Sequence, residues 1–105
     1  MYLYSMSIIE QNINQIHTVC DKYHVSQLSV FGSILTHQYN EKSDIDLLVD
    51  FSNMDLKHYA DNYFELKHSL EEILNREVDL LENKAIKNPY LRKSIDSSRQ
   101  VLYES

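Results

Sequence analysis

The stretch FGSILTHQYNEKSDIDLLVDF, Phe31 to Phe51, decides how this chain is read. It holds the only glycine of the sequence, Gly32, followed at once by Ser33 and later by a D-x-D pair, Asp44 and Asp46. From Asp44 the pattern alternates. Ile45, Leu47, Val49 and Phe51 fall on one face, and Asp44, Asp46, Leu48 and Asp50 on the other. A period of two with one apolar face specifies a half-buried strand. Two carboxylates one residue apart leave such a strand on the same side, about 6.6 Å from each other along the chain.

Working outward, Val25 to Phe31 is short, β-branched and aromatic, and reads as a second strand. Gly32-Ser33 ends it and is expected to open a short helix, with Gln38 to Ser43 as a polar loop. Upstream, Ile9, Ile13, Ile16, Cys20 and Tyr23 recur at helical spacing, so the expectation is one helix from Ile8 to Tyr23. Ser7 and Glu10 form a capping box at its start. Downstream, Asp55 suits the N-cap of a long helix with Leu56, Tyr59, Tyr63, Leu66, Leu70, Ile73 and Leu74 on one stripe. Asn75 fits a left-handed C-cap. Glu77 to Leu81 reads as a third strand, and Asn88-Pro89 opens a helix to about Ser97. Arg99 to Tyr103 is left as an edge strand or a tail. This order implies an α+β domain spanning residues 1–105, a mixed sheet with flanking helices.

Composition narrows the function classes. Sixteen acids against ten Lys and Arg give a net charge of −6, which disfavours direct binding along a nucleic-acid backbone. No apolar run approaches a membrane span, and the lone Cys20 excludes an internal disulfide, so a cytoplasmic protein without a membrane partner is expected. Cys20 lies on an apolar stripe and reads as a packed thiol rather than a nucleophile. His17, His24, His37, His58 and His68 show no zinc-ligand spacing.

The chemistry therefore rests on carboxylates. Asp44 and Asp46 are hard oxygen donors suited to Mg²⁺, which takes one or two carboxylates together with waters and substrate phosphates. Asp79, flanked by Val78 and Leu80, points away from the apolar face of its own strand. If that strand lies beside Asp44–Phe51, the three acids converge and suffice for two metal ions. Gly32 lets a phosphate approach the backbone, and Ser33 adds a hydroxyl at a helix N-terminus that favours anions. A nucleoside triphosphate placed between these halves would transfer a nucleotide and release pyrophosphate. Asp50, Arg92 and Lys93 read as solvated, and Tyr59 and Tyr63 as core or interface.

On these residues the chain resembles the minimal nucleotidyltransferases of the DNA polymerase β-like superfamily. The family pattern, h-G-[GS], D-h-[DE]-h and a later h-[DE]-h, is matched by Phe31-Gly32-Ser33, Asp44-Ile45-Asp46-Leu47 and Val78-Asp79-Leu80. The resemblance implies a palm-like nucleotidyltransferase fold and a Mg²⁺ site on Asp44, Asp46 and Asp79. It places Gly32 and Ser33 on the phosphates of ATP. It also implies an antitoxin that transfers AMP to a tyrosine of a HEPN ribonuclease toxin. The alternative is a non-catalytic antitoxin of the same fold that neutralises its partner by binding alone. One departure bears on this choice: where many relatives continue G-S-x-A-R-G, this chain reads Gly32-Ser33-Ile34-Leu35-Thr36-His37 and lacks the arginine.

Overall fold

The alternation that begins at Asp44 becomes strand β2, Ile45–Phe51, and the segment before Gly32 becomes β1, Val25–Phe31. A computed structural model describes residues 8–32 and 44–105. The capping serine Ser7, the turn from Ser33 and the loop Gln38 to Ser43 lie outside the described residues. The remaining elements are α1 (Ile13–Lys22), α2 (Leu56–Leu74), β3 (Val78–Glu82), a 3-10 turn (Asn83–Ala85), α3 (Pro89–Ser98) and β4 (Gln100–Glu104).

The strands form one mixed sheet in the order β3-β2-β1-β4. β1 pairs antiparallel with β2 and with β4, while β2 and β3 are parallel and joined through α2. The segment from Arg99 to Tyr103 is thus an edge strand, paired with β1 and beginning one residue later than expected. Apolar side chains of one sheet face, among them Leu28, Val30, Ile45, Leu47, Val49, Val78 and Leu80, pack with Ile16, Cys20, Leu66, Leu70 and Leu74 of α1 and α2. The opposite face carries a smaller cluster of Phe31, Leu48 and Ile95, the last from α3. Cys20 is fully buried and its burial pushes the thiol up to about 12, as suits a packed, neutral group.

The expected helix from Ile8 to Tyr23 is interrupted. Residues 8–11 are helical, and a turn at Asn12 separates them from α1. The Asn12 side-chain amide donates to the Ile8 carbonyl at 2.7 Å, competing for a helical acceptor. Its backbone N–H bonds to Ile9 instead, and the helix restarts with Ile16 donating to the Asn12 carbonyl. The stripe of α2 also differs in two places. Leu56 is exposed, whereas Asn62 is buried, with its amide donating to the Tyr23 carbonyl at the end of α1.

Both expected caps of α2 are present. Asp55 accepts from the Lys57 N–H, and Asn75 adopts φ 53. Asn88 caps α3 by accepting from the N–H groups of Tyr90 at 2.8 Å and Leu91 at 3.2 Å. Removing that acceptor in Asn88→Ala costs about 1 kcal/mol. For a domain of this size, thermal melting should then show a midpoint lowered by roughly 4–8 °C.

Candidate active site

The parallel register of β2 and β3 sets Asp46 directly beside Asp79. Neighbouring strands run roughly 4.8 Å apart, so two carboxylates issue from adjacent backbone positions. Both lie on the face opposite the main core, because Ile45 and Leu47 on β2 and Val78 and Leu80 on β3 turn inward. β1 completes the row, since Phe31 pairs with Asp46. Asp79 is exposed and Asp46 is half-buried. Asp44 stands just before β2, exposed at the same end of the sheet. Ser33 lies outside the described residues.

Gly32 follows Phe31 at the end of β1, and two separate constraints require glycine there. Its φ is +81°, in the left-handed region that side chains disfavour. A Cβ built on it would lie 3.2 Å from Asp46 Cγ and 3.3 Å from Asp46 Cβ, and closer still to Oδ2. The space that the missing side chain leaves is therefore bounded by the Asp46 carboxylate. Glycine brings the backbone of the turn and the first acid of the site into one small volume.

Other polar groups on this face are committed elsewhere. Asp50 is not merely solvated, because it accepts from the Asn83 amide at 3.1 and 3.2 Å. Asn83 in turn accepts two bonds from Arg92, through its side-chain oxygen and its carbonyl. Arg92 also pairs with Asp96 at 3.4 Å. The expected solvated face is thus a network tying β2, the 3-10 turn and α3 at the far end of the sheet from Gly32. Tyr59 donates to Glu82 and Tyr63 to the Leu80 carbonyl. Burial, then the nearby Glu82, raise both phenols, which keeps them neutral donors.

Arg99 lies at the join between α3 and β4. It closes α3 as the C-cap, immediately before Gln100, which pairs with Val30. Arg99 therefore sits one residue before the β4 pairing begins, at the end of β1 that carries Phe31. No local pattern in the sequence signals this, because it depends on the register of the last strand.

The donor set suits a hard divalent cation. Among the described residues no three His, Cys, Asp or Glu side chains are gathered closely enough to form a metal cage. Two carboxylates at adjacent strand positions match Mg²⁺, which binds through one or two carboxylates and draws its other ligands from water and phosphate. Among the described residues no helix is long and apolar enough to cross a membrane.

The polymerase beta nucleotidyltransferase family model matches residues 14–105. A candidate protein adenylyltransferase of Methanocaldococcus jannaschii is 42% identical over 76 residues, covering 72% of this chain and 75% of that protein. The solved structure of a candidate minimal nucleotidyltransferase aligns with TM-score 0.74 at 24% identity, over 90% of this chain and 93% of that one. A chain from the structure of a tri-AMPylated Shewanella oneidensis HEPN toxin in complex with an MNT antitoxin aligns with TM-score 0.61. Identity there is 20%, over 91% of this chain and 72% of that one. Both structural likenesses are likenesses of fold.

Proposed function

The chain belongs to the polymerase beta nucleotidyltransferase family, and on that premise we propose that it is an antitoxin that transfers AMP from ATP to a tyrosine of a HEPN ribonuclease toxin. The observation that carries the reading is the pairing of Asp46 with Asp79 beside Gly32, at one open end of the sheet. The relative that is a candidate protein adenylyltransferase and the complex containing an AMPylated toxin support the choice of a protein acceptor.

Asp46 and Asp79, with Asp44 at the rim, would hold Mg²⁺. When bound, Mg²⁺ supplies neutralisation of phosphate charge and acidification of an oxygen nucleophile. The chain's own residues position the reactants. Gly32 and Ser33 offer backbone N–H groups and a hydroxyl to the triphosphate. The acceptor's phenolic oxygen forms a bond to the α-phosphorus as the bridging bond to the β-phosphate breaks. Pyrophosphate departs and the phenolic proton passes to a carboxylate of the acid face. The modified tyrosine gains bulk and negative charge, both adverse to RNA binding. The reaction uses cytoplasmic ATP and needs no direct contact with nucleic acid or membrane.

A second reading, neutralisation by binding alone, is favoured by the loop Ile34-Leu35-Thr36-His37, which lacks the arginine of the G-S-x-A-R-G pattern. One experiment separates the two. The chain is incubated with a HEPN-type partner, ATP and Mg²⁺, and the partner's intact mass is measured. AMP-sized increments are the expected result. An unmodified but inhibited partner would establish occlusion instead.

A further inference from the structure

We propose that Arg99 holds the β- and γ-phosphates of the nucleotide and so supplies the cation that the loop after Ser33 lacks. The inference rests on the nucleotidyltransferase reading and adds a residue to it. Arg99 Nη1 is buried and, among the described residues, has no hydrogen-bond partner. Its ion-pair partner, Asp96 Oδ1, is 4.0 Å away, beyond hydrogen-bond reach, and is shared with Arg92. A guanidinium nitrogen withdrawn from water with only a long, shared ion pair and no hydrogen-bond acceptor is costly, so a ligand that supplies acceptor oxygens is favoured there. Phosphate matches the planar fork of arginine.

Position supports the same ligand. Gln100 pairs with Val30, Phe31 with Asp46, and Asp46 with Asp79, so Arg99, one residue before the β4 pairing begins, continues the row of Phe31, Asp46 and Asp79 by one more strand spacing. Three strand spacings separate the ends of that row, about 14 Å between backbones before the reach of the side chains is subtracted. Carboxylates lie at one end, where they would hold a metal ion for the α-phosphate. The arginine lies at the other, where the leaving pyrophosphate would extend. Arg92 cannot take this role, because its guanidinium is bonded to Asn83 at the opposite end of α3. Without a bound phosphate, Arg99 would act only as a cation at the C-terminus of α3, favourable to the helix dipole.

Calorimetric titration of the chain with ATP and with AMP distinguishes these roles without any transfer reaction. In Arg99→Met, ATP affinity should fall roughly tenfold or more, the size of a charged hydrogen bond, while AMP affinity stays within about twofold. Arg99→Lys keeps the charge without the fork and should show a smaller loss, again for ATP only. If Arg99→Met melts like the unaltered chain yet binds ATP as well, or loses ATP and AMP together, the assignment is overturned. Should Arg99→Met fail to fold, the ATP-to-AMP ratio in Arg99→Lys decides by the same criterion. An unaltered chain that binds neither nucleotide would remove the nucleotidyltransferase reading itself, and Arg99 with it.

Discussion

Asp46→Asn and Asp79→Asn should each slow AMP transfer to the partner by about a thousandfold or more. The reason is electrostatic. Each substitution keeps the shape of the side chain and removes one of the two formal charges that adjacent strands bring side by side. A metal ion would then lose one of its protein carboxylates, and with it affinity and position. The several kcal/mol it contributes to the transition state correspond to factors of ten for about every 1.4 kcal/mol. Single-turnover transfer at saturating ATP, read by the partner's mass, measures the loss. Stability should move the other way for the exposed Asp79. Like charges directly opposite on a sheet repel, so Asp79→Asn should leave the melting midpoint unchanged or raise it. A variant that loses activity because it unfolds would contradict this account. Asp50→Asn is the control on the same face. Asp50 accepts from Asn83 and lies away from Gly32, so its loss should weaken folding and spare transfer.

Gly32→Ala should be the most damaging single-methyl change in the chain. A left-handed φ of +81° costs a side chain about 1–2 kcal/mol on its own. The new methyl also meets Asp46, which must shift or force the turn to shift, adding about 1–3 kcal/mol. Denaturant unfolding should therefore show a loss of about 2–5 kcal/mol, together with loss of transfer. The two contributions can be separated. In an Asp46→Ala background most of the collision is gone, so the cost of Gly32→Ala should shrink towards the backbone term alone. Additive costs in that double-mutant cycle would refute the steric part.

Much of this was legible in local pattern, and what was not has a common physical cause. β1 and β2 follow from alternation and β-branching, and the caps at Asp55, Asn75 and Asn88 from short polar side chains at helix ends. The flanking Val78 and Leu80 correctly turned Asp79 away from the core. Which strand lies beside which is a different kind of information. The adjacency of β3 to β2 had to be assumed, and the place of β4 beside β1 was left open, since neither is encoded in the period of its own segment. The position of Arg99 depends on the same pairing. Asp50 and Arg92 were misread as solvated because their common partner, Asn83, comes from a 3-10 turn without a recognisable signal. The break at Asn12 was hidden by an apolar repeat that continues across it.

The placement of β4 also orders events in time. Gln27 on β1 and Glu104 on β4 are hydrogen-bonded across 77 residues of chain. β2, by contrast, reaches β1 through a single connection. Closing so long a loop is entropically dear, and pairings of high sequence separation are the slow ones in folding. The sheet edge that carries Asp46 and Asp79 can be complete while β1 still lacks its other neighbour. Arg99, between α3 and β4, reaches its place when these last elements dock. The protein would thus acquire its carboxylates early in folding and its proposed grip on the triphosphate tail in the final step.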